Sequence, residues 1–189
     1  KEAIDDIRGE IVSIENNSTI SSELKSLLIA NYKRCIDYLI RRDIQITLDD
    51  GDVAGTIGFL TGQPEFRYKI MAYGIMNRNL DYDNSDIYLN SLQTSSQEQD
   101  DFIAAQNIYL DYIKDIEGFV LSESDKTILE DAGYRENELA GYARSIYYLL
   151  TGEQIKIDLY HIDGAIAPRS TSNNNVALSR FEKPNIIVY

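Results

Sequence analysis

The sequence contains one cysteine, one histidine and no tryptophan among its 189 residues. A single cysteine excludes a disulfide within the chain, and a structural zinc site needs several Cys or His ligands. Long apolar runs are also missing, so no segment has the roughly 20 apolar residues that a membrane span requires. The opening residues, KEAIDDIRGE, are charged and do not resemble a signal peptide. We therefore expect no disulfide, no metal site and no membrane span.

Basic residues are scarce. The chain has 18 Lys and Arg against 31 Asp and Glu, which gives a formal net charge of −13. An acid excess of this size repels phosphate, so we expect no general binding to nucleic acid or to an anionic membrane. A locally basic pocket still leaves room for a phosphate-bearing cofactor. A DNA mimic is a minor alternative, because a mimic gathers its acid on one face and acidic residues occur here along the whole chain.

Apolar residues at helical spacing predict that the first part of the chain is helical. Ile4, Ile7 and Ile11 share one stripe, and a second helix is expected from Ser21-Ser22 to about Arg42. The next segment, DIQITLDDGD, alternates and favours a short strand or an extended connection. Further helices are predicted from Pro64 and over 85–92, 96–116, 122–133 and 136–152.

The period of the pattern changes after Gly152. QIKIDLYHI (154–162) alternates like a half-buried strand, and NIIVY (185–189) is a short apolar run of β type. We predict an α+β, predominantly helical fold, with a helical lobe over 1–152 and the start of a small β lobe over 153–189. Two short strands form only a marginal sheet, so we expect a fragment of a longer domain.

Few side chains suggest catalysis by their type alone. Cys35 lies inside the second predicted helix on its apolar stripe, where we expect a buried small hydrophobe rather than a nucleophile. Adjacent carboxylates fall at predicted helix ends and turns, which favours a solvated surface. These pairs are Asp5-Asp6, Asp49-Asp50, Asp100-Asp101 and Glu130-Asp131. The acidic segments 49–52 and 81–86 lack the ligand spacing of an EF-hand.

His161 is a stronger candidate. It follows Tyr160 at the end of the predicted strand, and the chain then turns at Asp163-Gly164. Sites are often built at such strand ends. The alternative interpretation is a solvent-facing histidine at a strand terminus.

Two segments together resemble the mono-ADP-ribosyltransferase toxins of the Arg-Ser-Glu type. IDLYHIDG (157–164) is similar to the first strand of that family, which ends in an aromatic residue and an arginine. STSNNNVALSRF (170–181) is similar to the Ser-Thr-Ser strand and the turn that follows it. The helices predicted at 23–42 and 137–150 resemble those that precede the family's first strand.

The resemblance implies an NAD-binding fold and a role for each matching residue. His161 and Ser170 would be the catalytic residues, and NAD would be held by Tyr160, Arg169, Thr171 and Ser172. It also implies a bacterial or phage toxin or effector that is secreted or injected into a host cell and acts on a protein target or with a partner subunit.

The sequence departs from the family in two respects. His161 stands where the family has arginine, and no Glu-x-Glu follows Phe181. One interpretation is a transferase whose glutamates lie beyond Tyr189. The other is a non-catalytic helical adaptor or structural module of a pathogen or phage, with a cytoplasmic location if it is not exported.

Overall fold

A computed structural model describes residues 2–156, which form eight α-helices and contain no β-strand. The helices are α1 (Glu2–Asn16), α2 (Ser22–Asp49), α3 (Val53–Thr61), α4 (Phe66–Arg78), α5 (Tyr82–Ser91), α6 (Gln97–Lys114), α7 (Glu123–Tyr134) and α8 (Ala140–Thr151). The chain divides into two compact units, unit 1 (Lys1–Asn79) and unit 2 (Leu80–Tyr189). Each unit is described by itself.

Unit 1 is built around the long helix α2, which packs against α1 and α3, while α3 packs against α4. One stripe of α2 is buried at Ile36, Ile40 and Ile44, because residues four apart share a helix face. Ile4 of α1 and Leu60 of α3 are also buried. Burial of these side chains, and of the apolar side chains of α4, stabilises the unit.

The predicted strand or extended connection at 43–52 is wrong, because α2 continues to Asp49. Ile44 extends the buried stripe by one more turn after Ile40, and no glycine or proline interrupts the helix before Gly51. The Thr47 hydroxyl donates back to the Asp43 carbonyl at 3.0 Å, within the helix. The chain turns only at Gly51, whose φ of 77° favours glycine.

Unit 2 has its core between α6, α7 and α8. The buried cluster joins Ala105 and Ile108 of α6, Leu129 of α7, and Ala143 and Ile146 of α8. Small residues let the three helices approach closely, and the larger ones fill the space between them. α5 packs against α6 at the side of this core.

Local signals place the helix ends of unit 2. Ser122 and Asp125 form a reciprocal capping box at the start of α7. α8 begins at Ala140 rather than at the predicted residue 136, since the Asn137 side chain accepts the Ala140 N–H at 2.7 Å. The helix ends, as predicted, at Gly152, whose φ is 74°.

The predominantly helical character of the fold is confirmed, whereas the β lobe is not shown. The part of the predicted β lobe that is described, residues 153–156, has no regular secondary structure. The remainder of that prediction, residues 157–189, lies outside the described residues.

Candidate functional site

The residues predicted for catalysis and NAD binding lie outside the part of the chain that the structure describes. They are Tyr160, His161, Arg169, Ser170, Thr171 and Ser172. The structure therefore does not bring them together or separate them, and their roles stay predictions. The candidate surfaces below belong to residues 2–156.

Cys35 corrects one expectation, because it is exposed rather than buried. Its position in the middle of α2 is as predicted, but the covered side of the helix is the one that carries Ile36 and Ile40. A thiol in mid-helix also lacks the free backbone N–H groups that activate cysteines at helix N-termini. Nothing at this position supplies the setting of a catalytic cysteine.

A polar cluster joins α2 and α4. The buried Tyr68 hydroxyl donates a hydrogen bond to Asp37, and the Arg67 guanidinium contacts both carboxylate oxygens of Asp37, at 2.9 and 3.0 Å. Arg67 also lies over the Tyr68 ring, 4.8 Å from its centroid. Burial, followed by the bond to Asp37, raises the pKa of Tyr68 above its ordinary value. The three groups satisfy one another, which is the arrangement of a structural contact.

A second cluster fixes the start of α4 to α1. Arg8 donates to Gln63 at 2.9 Å and to Glu65 at 2.7 Å, and the Gln63 amide donates in turn to the Phe59 carbonyl at 3.0 Å. Gln63 is buried, so these partners replace the water that it loses. This cluster is also a structural contact, because Arg8 bonds both Gln63 and Glu65 within the fold.

A shallow open groove of about 250 Å³ lies between α2 and α3. Its walls are formed by Asp43, Ile46, Thr47 and Phe59, and beside it the hydroxyls of Thr47 and Thr56 are 2.6 Å apart. The lining contains a carboxylate and no cation. It is therefore unsuited to the phosphates of NAD.

The outer face of α2 is the side turned away from the buried stripe. It comprises Leu27, Asn31, Arg34, Tyr38 and Arg41, all of them exposed. The exposed fraction is 59% for Leu27 and 66% for Tyr38, which is high for side chains of this size. Sequence reasoning missed this face because Leu27 was assigned to the covered side of α2 and Tyr38 was assigned to neither side. The detectable signal was the alternating spacing of four and three residues.

Charge differs between the two units. Residues 80–156 carry 16 Asp and Glu against five Lys and Arg, whereas residues 2–79 carry 12 against nine. The acid excess thus belongs mainly to unit 2. Several of its carboxylates have partners: Asp101 pairs with Arg135, and Asp86 pairs with Lys114, which lowers the pKa of Asp86.

Unit 2 also contains a buried tyrosine bound to acid. The Tyr147 hydroxyl donates to Glu130 at 2.8 Å and lies 3.5 Å from Glu153. The hydrogen bond to Glu130, followed by burial and the nearby negative charge, raises the pKa of Tyr147 to about 12. A tyrosine that holds its proton this firmly is a poor general base near neutral pH.

Residues 2–156 contain neither a metal site nor a membrane-spanning helix. No group of three or more His, Cys, Asp or Glu side chains there could hold a metal ion. In the same residues, no helix has both the length and the apolar character needed to cross a membrane.

Comparison with known proteins finds no match to a protein-family model, to a curated protein or to a solved structure.

Proposed function

We propose that the helical region, residues 2–156, is a non-catalytic protein-binding module that acts as an adaptor. The observation that carries this proposal is the outer face of α2, where Leu27 and Tyr38 remain exposed on a helix of 28 residues. Exposed apolar side chains at helical spacing are what one helix offers to another protein. Unit 2 adds further exposed apolar side chains on α8, where Tyr142 and Leu149 lie two turns apart and Tyr148 is next to Leu149.

The polar groups of the same region favour binding over chemistry. Asp37 and Tyr68 are bonded to each other and to Arg67, and Glu130 accepts the Tyr147 hydroxyl. A catalytic acid or base needs a free face toward a substrate and a cavity that excludes water. The groove between α2 and α3 is open and shallow and therefore offers no such enclosure.

The test begins with the whole 189-residue chain immobilised and exposed to extract from its source organism. Proteins retained are identified by mass spectrometry, produced in pure form, and measured against the chain by calorimetry. Variants carry serine at Leu27 and Tyr38, or at Tyr148 and Leu149. We expect one purified protein to bind, and one pair of substitutions to weaken it by about tenfold or more while the melting temperature is unchanged. If every purified candidate binds both variants as well as the parent chain, the adaptor proposal is wrong.

A second function is proposed for the C-terminal residues, on the strength of their sequence. Tyr160-His161 followed by Ser170-Thr171-Ser172 supports an ADP-ribosyltransferase-like toxin or effector, secreted or injected into a host cell. In it His161 and Ser170 take part in catalysis, and Arg169 contacts NAD together with Tyr160, Thr171 and Ser172.

This second function is tested by titrating NAD into the chain in a calorimeter and by assaying nicotinamide release. We expect heat of binding, and we expect Ser170→Ala to weaken NAD binding without lowering the melting temperature. Ser179→Ala is a control for a serine outside the Ser-Thr-Ser segment. If NAD gives no heat of binding and no nicotinamide is released, the transferase proposal fails and the adaptor proposal stands unaffected.

A further inference from the structure

The outer face of α2 has a spacing that suits a second helix. Leu27, Asn31, Arg34, Tyr38 and Arg41 are separated by four, three, four and three residues. This 3.5-residue repeat keeps side chains along one seam when two helices pack side by side. The seam runs for about 21 Å along α2 at 1.5 Å per residue. We propose that this face binds an acidic amphipathic helix of a partner protein, an inference that rests on the adaptor function proposed above.

The packing of unit 1 leaves this face uncovered. Within residues 2–156, α2 uses Ile36, Ile40 and Ile44 for its packing in unit 1. Arg34 and Arg41 are exposed, while Leu27 and Tyr38 keep more than half of their surface in solvent. A partner helix can therefore bind without displacing any element of unit 1.

The charges of the face select an acidic partner. Neither Arg34 nor Arg41 forms an ion pair with any other residue in the range 2–156. The acids nearest to them along the helix already have partners, since Asp37 pairs with Arg67 and Asp43 pairs with Arg42. Two guanidinium groups thus remain available for bidentate bonds to carboxylates. Because the chain as a whole has a net charge of −13, it repels an acidic partner elsewhere, and the two arginines make this face the place where such a partner binds.

The apolar members of the face require more than charge from the partner. Tyr38 lies between Arg34 and Arg41, and Leu27 lies two turns before Arg34. The matching helix therefore carries leucine-like residues at alternating spacings of three and four, with Glu or Asp beside them. An unstructured acidic segment would pair with the arginines but leave Leu27 and Tyr38 in water.

A second copy of this chain fits the face less well. A symmetric antiparallel pair of α2 helices centred on this seam would place Arg34 opposite Arg34 of the other copy. Like charges directly opposed destabilise such an interface. A head-to-tail contact avoids that repulsion, but it produces a ring or an open chain of copies rather than a symmetric pair.

The test uses the whole chain and a synthetic 21-residue helical peptide as the probe. The peptide carries leucine at the seam positions and glutamate at the flanking positions. A solvent-sensitive dye on Cys35, the single cysteine, reports from beside the face. Calorimetry with unlabelled chain gives the dissociation constant, and a scrambled peptide of the same composition separates helix recognition from charge alone.

Two charge reversals on the same helix make a matched pair. Lys33 is exposed and lies about 120° around α2 from the centre of the face. We expect the leucine–glutamate peptide to bind, Arg34→Glu to weaken it by about tenfold or more, and Lys33→Glu by less than about twofold. The scrambled peptide, and a version with lysine in place of glutamate, should not bind.

Four results of the peptide and self-association measurements would overturn the inference. These are no binding of the acidic peptide, equal binding of its scrambled form, equal weakening by the two reversals, and self-association of the chain, measured by sedimentation equilibrium, that Arg34→Glu abolishes. The last would assign the face to a second copy. A natural partner that is lost only on substitution of Tyr148 and Leu149 would also refute the inference, while leaving the adaptor function intact.

Discussion

The Tyr68 hydroxyl of α4 donates a hydrogen bond to the Asp37 carboxylate of α2, thirty-one residues earlier in the chain. Tyr68 is only 2% exposed, so its hydroxyl has no access to water as an alternative partner. Arg67 holds the same carboxylate from the solvent side. This contact therefore joins two helices of unit 1 through polar groups that depend on each other.

We predict that Asp37→Asn and Tyr68→Phe each lower the stability of unit 1. Removal of one member leaves a buried polar group with a weaker partner or none, which costs about 1–3 kcal/mol. Because both substitutions act on the same bond, which Asp37→Asn weakens and Tyr68→Phe removes, their effects should not add, and the coupling in a double-mutant cycle should be about 1 kcal/mol or more.

Urea unfolding measures these free energies. Arg67→Ala is the comparison, and it should cost about 1 kcal/mol or less, because its guanidinium is half exposed. Additive losses for Asp37→Asn and Tyr68→Phe would show that the hydrogen bond contributes nothing of its own.

Apart from α3, which was not predicted, the helices of the fold followed from periodicity, and the misassigned segment shows the limit of that signal. Residues 43–48 alternate like a strand but also continue the helical stripe through Ile44. Six residues are too few to distinguish the period of a strand from that of a helix. Packing against the rest of unit 1 therefore determines that this segment is helical. The spacing of Ser96 and Gln99 is that of a capping box, but only half of the box forms, since Ser96 accepts the Gln99 N–H while the Gln99 side chain accepts from Ser95.

The candidate surface was harder to predict than the helix that carries it. The apolar pattern of the sequence assigns Leu24, Leu27 and Cys35 to the same side of the helix as Ile36 and Ile40. Together these residues cover more than half of the helix circumference, and neighbouring helices cover only the part around Ile36. Sequence gives the width of an apolar stripe, whereas tertiary packing determines which part of it is covered.

Gly133 of α7 gives a prediction about packing in unit 2. A Cβ at this position would lie 2.4 Å from the Cδ1 of Ile155, which packs against the unit 2 core. Gly133→Ala should therefore cost about 1–2 kcal/mol, since the overpacking outweighs the gain in helix propensity. Differential scanning calorimetry measures the change.

Two further variants show whether the contact with Ile155 causes the loss of stability in Gly133→Ala. In Ile155→Ala the closest obstruction is gone and the Arg144 Cγ at 3.2 Å remains, so Gly133→Ala should cost less there than in the parent chain. Gly141 of α8 has no atom closer than 3.9 Å to a built Cβ, and Gly141→Ala should stabilise by up to about 1 kcal/mol. A Gly133→Ala variant as stable as Gly141→Ala would contradict the contact.

Tyr147 gives a prediction about pH. Its pKa is raised to about 12 by the hydrogen bond to Glu130, against about 10 for an unperturbed tyrosine. The unfolded chain therefore loses this proton first as the pH rises. The stability that the bond contributes is complete below about pH 10 and is lost progressively between pH 10 and 12.

The measurement is a tyrosine ¹³Cζ titration by NMR, with Tyr147→Phe to assign the resonance. Glu130→Gln removes the charge but keeps an acceptor, so the pKa of Tyr147 should fall and the alkaline loss of stability should become shallower. An unchanged pKa in Glu130→Gln would mean that burial rather than Glu130 sets it.

Leu80 carries a backbone strain that a substitution can remove. Its φ of 59° is the one positive value among the non-glycine residues in the part of the chain that the structure describes. The side chain is 71% exposed, so little packing is lost with it. The left-handed conformation costs a leucine about 1–2 kcal/mol but costs glycine nothing, whereas glycine gains freedom in the unfolded chain. Leu80→Gly should therefore raise stability by up to about 1 kcal/mol.

Leu24→Gly, an exposed substitution within α2, should instead lower stability by about 1 kcal/mol. Chemical denaturation measures the free energy of unfolding of both variants. If Leu80→Gly lowers it as much as Leu24→Gly does, the backbone at Leu80 is not strained.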